Sequence, residues 1–349
     1  MVKTDFLLPL NMTKYIVVTG GAGYIGSHTV VSLVEQGFTP IILDDFRNAN
    51  RIVISGLTTI LEKEPIILEV DICNPEFISS VFQTYSPQAV IHFAAYKAVG
   101  ESVAEPLKYY QNNISGLVNV LQKMLEYNIN NFVFSSSCTV YGEPDGNKEV
   151  SEETEKNLPN SPYGYTKWMG EQIIQDTFNA YDHLKIINLR YFNPVGAHKS
   201  ALIGEFPIGR PNNLLPFVTQ TAIGKQEVLT VFGNDYPTPD GTCIRDYIHV
   251  CDLANAHVKA VDFLLQQEKG ILENINIGTG KGTSVKEIIE TFEKETGVPL
   301  NWQYGPRRSG DVIEIFANAE KAWDLLGWKS ELTIKDAIID AWNWEKHLA

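Results

Sequence analysis

Short apolar runs separated by segments of helical length fill the first 190 residues. The runs are Tyr15–Thr19, Ile41–Leu43, Ile66–Val70, Ala89–Phe93, Phe132–Ser135 and Lys185–Leu189. Each is rich in Val, Ile or Phe and mainly apolar without strict alternation, the pattern of strands buried on both faces. Strands of that kind spaced by helices predict an α/β fold built on a doubly wound parallel sheet. Beyond residue 190 the texture changes. Gly, Pro and Asn cluster over 193–216 and 233–242, and helical periodicity returns at Val250–Gln266, Val285–Thr296 and Ile334–Trp344. Ligands of such folds lie beyond the carboxyl ends of the strands, so the loops of the second half are expected to cover a site there.

The turn after the first run carries the first candidate chemistry. Thr19-Gly20-Gly21-Ala22-Gly23-Tyr24-Ile25-Gly26 places Gly20, Gly23 and Gly26 in a GxxGxxG pattern between a strand and a helix. Residues without a Cβ let backbone approach a pyrophosphate, and the N–H groups opening the helix face its charge. Asp44 ends the second run, eighteen residues after Gly26, where an acid bonds the adenosine ribose hydroxyls. Asp44 and Asp45 together repel a 2′-phosphate, which favours NAD over NADP, while Arg47 works the other way. Asp71-Ile72 ends the third run. An acid there serves either a turn or an adenine amino group. The expected organisation is an N-terminal extension (1–13), a Rossmann-type NAD-binding domain (14–192) and a smaller mixed α/β substrate domain (193–349), with interleaving of segments allowed for.

Ser161-Pro162-Tyr163-Gly164-Tyr165-Thr166-Lys167 reads as a helix start, with Ser161 as N-cap and Pro162 in the first turn. Tyr163 and Lys167 then share one face. A phenol titrating near 10 needs a shift of about 3 units, roughly 4 kcal/mol, to act as a base at neutral pH. One cation at about 5 Å in an effective dielectric near 20 supplies about 3 kcal/mol of it, and a cationic nicotinamide ring can supply the remainder. The fifth run ends in Ser135-Ser136-Ser137, so a serine hydroxyl at the carboxyl end of that strand is available to a reacting sugar oxygen.

Composition narrows the partners. The chain of 349 residues is 44% hydrophobic and 20% charged, ordinary for a globular protein. Its formal net charge of −14 argues against sequence-independent nucleic-acid binding or an anionic membrane surface, and any phosphate must be held by local cations. Cys73, Cys138, Cys243 and Cys251 form no CxxC pair, so neither a zinc site nor a disulfide framework is expected. A reducing cytoplasm suits them. No run approaches a membrane span, and Phe6-Leu7-Leu8-Pro9-Leu10 is too short for a secretory core.

TGGAGYIGSH (19–28), HFAAYKAVGES (92–102), FSSSCTVYG (134–142), SPYGYTK (161–167), LRYFNPVGAH (189–198), FGNDYPTPDGTCIRDYIHV (232–250) and RRSGD (307–311) together carry a resemblance over nearly the whole chain. It resembles the extended short-chain dehydrogenases/reductases, and among them the UDP-glucose 4-epimerase family. The resemblance implies an NAD-dependent isomerase of galactose metabolism. Such an enzyme interconverts UDP-glucose and UDP-galactose through transient oxidation to a 4-keto sugar. Carried over by position, Tyr163 is the general base and acid at the 4-hydroxyl, Lys167 lowers its pKa and holds the nicotinamide ribose, and Ser137 bonds the 4-oxygen. Tyr24, Ile25, Asp44, Asp71, Ile72, Phe93, Lys97, Asn112 and Phe192 match cofactor contacts. Asn193, Asn213, Leu214, Phe232, Arg245, Arg308 and Asp311 match contacts to the UDP-hexose, the two arginines as diphosphate clamps. No metal is implied. A homodimer through helices of the first domain is.

Two positions depart from the family pattern. Cys138 stands where alanine is frequent. Ile315 stands at the size gate for the sugar C2 substituent, where tyrosine excludes and a small residue admits N-acetyl sugars. At this length no appended sugar mutarotase domain is expected. Among rivals, a nucleotide-sugar 4,6-dehydratase carries an Asp-Glu pair where this chain reads Cys138-Thr139. A 4-epimerase of an acidic sugar such as UDP-glucuronate needs a polar or cationic cluster for the carboxylate. A non-catalytic NAD-sensing module loses the tyrosine or lysine retained here.

Overall fold

The computed structural model describes residues 13–144, 148–308 and 312–349. The expected extension therefore lies, but for Thr13, outside the described residues. The central sheet has seven parallel strands: β1 (Tyr15–Thr19), β2 (Thr39–Asp44), β3 (Ile66–Glu69), β4 (Ala89–His92), β5 (Asn131–Ser135), β6 (Lys185–Tyr191) and β7 (Ile271–Ile277). Their order is β7-β6-β5-β4-β1-β2-β3. The chain reverses direction across the sheet between β1 and β4, and a crevice opens beyond their carboxyl ends.

Alternate residues of β1 explain the two layers. Ile16 and Val18 face α1 (Tyr24–Glu35) and α9 (Val250–Gln266), packing with Val30, Leu33, Val261 and Leu264. Val17 faces the opposite layer, where Ile78, Phe82, Leu117, Val120 and Ile174 come from three further helices. The remaining helices of the first half are α2 (Ile52–Leu61), α3 (Pro75–Tyr85), α4 (Val99–Ala104), α5 (Pro106–Tyr109), α6 (Ser115–Glu126) and α7 (Pro162–Ala180). Helix α9 and strand β7 come from the second half of the chain yet complete the first sheet, because β7 adds beside β6 in parallel register.

The smaller unit has its own core. Val218, Leu229, Ile288, Phe292 and Ile338 pack among α8 (Leu214–Ala222), α10 (Val285–Thr296) and α12 (Ile334–His347). Strand 229–232 pairs with 302–305, and 193–195 pairs with 247–249. A short helix α11 (Glu320–Leu326) returns to the first core through Ala322 and Leu326. Among the described residues no helix is long and apolar enough to cross a membrane, and no group of three or more His, Cys, Asp or Glu is disposed to hold a metal ion.

Three histidines lie inside these layers in neutral form. Burial pushes His28 and His92 down to about 3 and His257 to about 4. The Nδ1 atoms of His28 and His257 donate to Tyr24 O and Leu253 O, leaving each Nε2 buried with no partner to share a second proton. The unfolded chain binds protons at these positions from about pH 6.5 downward and the folded chain does not, so stability falls as pH falls through that range. Each histidine is expected to remove about 2 kcal/mol between pH 7 and pH 5. Urea unfolding at the two pH values measures it, and equal midpoints would contradict it.

Candidate active site

The glycine turn after β1 is shaped by contacts that no side chain survives. Gly20 has φ +70°, and a Cβ there would lie 2.7 Å from Ala94 N; a Cβ at Gly26 would lie 2.3 Å from Gly20 O. The start of α1 carries no side-chain cap and no acidic residue in its first turn. Its positive end is therefore available to an anion. Asp44 at the end of β2 accepts the N–H groups of Ala22 (3.0 Å) and Phe46 (2.9 Å), which ties its carboxylate to the glycine turn. Burial raises its pKa.

These features line one cleft of about 1240 Å³ with Ile25, Ile72, Phe93, Lys97, Asn112, Phe192 and the Ser137–Tyr163–Lys167 group. The same cleft runs on to Asn193, Asn213, Leu214, Phe232, Arg245 and Arg308. A site for one small ligand occupies roughly 300–1,000 Å³, so there is room for a dinucleotide and a second ligand. Glycines that bring backbone to a helix start, an acid at the end of β2 and a lysine inside the cleft fit NAD. The structure thus gathers every described candidate onto one surface except Asp71. The Asp71 carboxylate accepts the Cys73 N–H and pairs with Arg47. Asp311 lies outside the described residues.

Arg47 is committed on three sides. It pairs with Asp45 (2.6 Å) and Asp71 and donates to Asn112 Oδ1 (3.3 Å). Two carboxylates already neutralise it, so the pull toward a 2′-phosphate that the sequence allowed is offset within the protein. A similar sorting separates neighbouring arginines at the other end. Arg307 pairs with Asp235 at 2.8 Å and stacks over Tyr236, while Arg308 lines the cleft.

The catalytic group follows from the start of α7. Ser161 Oγ caps it by accepting the Gly164 N–H, with Pro162 in the first turn. Tyr163, Lys167 and Glu171 then recur every four residues on the buried face. Tyr163 and Ser137 line the same cleft, where Ser137 Oγ accepts the Thr139 N–H at 3.2 Å. Lys167 Nζ donates to Ser135 O at 2.6 Å and lies over the Phe134 ring. Burial, and then the neighbouring Tyr191, hold the Tyr163 phenol above its ordinary value, while Ser137 acts to lower it. The lysine is itself buried and pushed down to about 8, and its ammonium is satisfied by a carbonyl.

Sequence reasoning missed two carboxylates. Glu205 bridges the two halves of the cleft, accepting from Lys97 Nζ (2.9 Å) and Asn213 Nδ2 (2.6 Å). Nothing in its Gly/Pro-rich neighbourhood marked it. Glu171 was within reach, since it extends the Tyr163/Lys167 spacing by one more turn. Ile315 is buried on strand 314–317, in register with Arg245, and lines the cleft.

The sequence profile of the family described as GDP-mannose 4,6 dehydratase matches residues 17–341. The chain is 46% identical over 334 residues to the UDP-glucose 4-epimerase uge1 of Schizosaccharomyces pombe, covering 95% of this chain and 94% of that one. It is also 46% identical to the bifunctional protein GAL10 of Pachysolen tannophilus, of which it spans about half the length (48%). Among solved structures, a UDP-glucose 4-epimerase of Stenotrophomonas maltophila with bound NAD and formylated UDP-arabinopyranose superposes with a TM-score of 0.93. It is 44% identical, with 96% of this chain and 98% of that one covered. One from Bifidobacterium longum, in complex with NAD+ and UDP, gives 0.91 at 42% identity and the same coverage.

The Gly26 contact yields a direct check. In Gly26→Ala the new methyl group meets Gly20 O and displaces the turn, so dinucleotide carried through purification is expected to drop about tenfold or more, as 1–3 kcal/mol of lost fit implies. Native mass spectrometry reads the bound fraction, and undiminished occupancy would remove the turn from the site.

Proposed function

The chain belongs to the GDP-mannose 4,6-dehydratase family of extended short-chain dehydrogenases/reductases, and from that premise we propose that it interconverts UDP-glucose and UDP-galactose by inverting C4. The observation that carries this reading is the Ser137–Tyr163–Lys167 group at the end of β5, inside a cleft that also holds the glycine turn and two arginines. Bound NAD supplies a reversible hydride acceptor for C4 and, in its cationic ring, a second positive charge to favour phenolate. Gly20, Gly23, Tyr24, Ile25, Gly26, Asp44, Ile72, Phe93, Lys97, Asn112 and Phe192 hold it.

Tyr163 Oη takes the proton of the 4-hydroxyl and later returns it, with Ser137 Oγ bonding the same oxygen. Lys167 keeps positive charge one helical turn from the phenol. Asn193, Asn213, Leu214, Phe232, Arg245 and Arg308 anchor the nucleotide end, so that the sugar alone turns to present its other face. An anchored diphosphate and a loosely held hexose are both required, and two arginines lining the cleft supply the first in an acidic protein. Elimination chemistry finds no support next to Ser137. Cys138 follows it, with a thiol that burial pushes up to about 11, in place of a carboxylic acid.

The four free thiols suit a reducing cytoplasm. A homodimer completes the reading. Helices α4, α5 and α7 pack on one another and leave Val103, Leu107 and Met169 exposed, an apolar surface suited to a second copy of the same helices. Analytical ultracentrifugation is expected to give a dimer, and Val103→Glu with Leu107→Glu a monomer. A monomeric wild type would remove the dimer.

Proton NMR of the purified protein with UDP-galactose and no added cofactor is expected to show the anomeric signal of UDP-glucose. No conversion, even after NAD is supplied, would overturn the assignment. In Tyr163→Phe the rate should fall by about 10²–10⁴, the usual contribution of a positioned acid–base group, with dinucleotide still bound. Undiminished turnover would mean another group moves the proton.

A further inference from the structure

Three consecutive serines at the end of β5 meet three residues spaced one turn apart on α7. Ser137 lines the cleft with Tyr163, the Ser135 carbonyl accepts from Lys167, and Ser136 Oγ donates to Glu171 Oε1 at 2.6 Å. Glu171 is 4% exposed and Ser136 is fully buried. The carboxylate is also gripped by Arg190 of β6, Nε to Oε1 at 2.9 Å and Nη2 to Oε2 at 2.8 Å, and by Lys156 at 2.5 Å. Arg190 reaches on to Tyr141 OH, which donates to Asn276 of β7. Glu171 touches neither the cleft nor any residue assigned to substrate or cofactor other than through this ladder.

We propose that Glu171 is a positioning residue for the epimerisation chemistry: through Ser136 it fixes the strand end that carries Ser137, and through its charge it keeps Lys167 in the ammonium form. This rests on the catalytic reading of Tyr163 and Lys167. The groups around Lys167 leave few other sources of negative charge. From β4 comes His92, neutral, and from β5 the Ser135 carbonyl and the Phe134 ring; Arg190 of β6 and Lys156 of the segment before α7 meet Glu171 itself. Burial drives Lys167 toward its neutral form, and Glu171 opposes this. Arg190 and Lys156 hold Glu171 ionised against its own burial.

The sign is testable from both sides. Glu171→Gln keeps the volume and the acceptor for Ser136 but removes the charge. The alkaline limb of the kcat–pH profile is then expected about one unit lower. Lys156→Met removes a half-exposed positive charge next to the carboxylate and is expected to move the same limb the other way by a few tenths. A purely structural role gives reduced activity with no shift, or shifts of one sign. Folding and dinucleotide content are checked by circular dichroism and native mass spectrometry. If Glu171→Gln does not fold, Lys156→Met decides alone, and an unmoved limb overturns the proposal. The titration of Lys167, read without turnover by pH-dependent acylation and peptide mass spectrometry, separates the two levels. An inactive wild type with the opposed shifts sinks the epimerase assignment only, whereas an active one with coincident titrations sinks this inference.

Discussion

A buried ammonium group is the constraint around which this site is arranged. Lys167 is 4% exposed, and a charge so placed is costly unless something in the interior answers it. The answers are local and layered. A carbonyl from the end of β5 accepts its hydrogen bond directly, an aromatic face covers it, and a carboxylate lies one turn further along the helix. That carboxylate is in turn acceptable only because Arg190 meets it with two parallel hydrogen bonds. Remove any layer and the one inside it loses its reason to be charged.

A second electrostatic problem is solved differently. A protein with a net charge of −14 is to hold ligands that are themselves anionic. What it offers them is backbone at the uncapped start of α1 and arginines along the cleft. Carboxylates are not excluded from the cleft but are assigned partners. Asp44 is held by two backbone N–H groups, Asp45 by Arg47, and Glu205 by Lys97 and Asn213. Glu205 spans the wall between the dinucleotide end and the nucleotide-sugar end, so both ends share one hydrogen-bonding network.

The strands and the helix starts were legible because each is a local consequence of sequence. Uninterrupted apolar runs can only be buried on both faces, and β1 matches its run residue for residue. Ser161-Pro162 caps α7 as the pattern demands, and the periodicity over 250–266, 285–296 and 334 onward returned three helices within a few residues of their observed ends. The glycine spacing located the turn, and the Tyr163/Lys167 spacing located a helix face. None of these readings required knowing what lay opposite.

What lay opposite was decided by the tertiary structure alone. Only folding brings Ser136 to Glu171, thirty-five residues away, and Lys97 to Glu205, more than a hundred away, because such pairs leave no periodic trace in the chain. The spacing places Lys167 one turn from Tyr163, whereas the burial that raises the phenol depends on every neighbour and is encoded by no single spacing. Folding also sends α9 and β7 from the second half into the first sheet, where an unpaired edge beside β6 and an apolar face over β1 are waiting. The sequence by itself determined which elements form and which side chains carry chemistry. The tertiary structure decided which charges meet, and therefore which of those side chains can hold the protonation state that the chemistry needs.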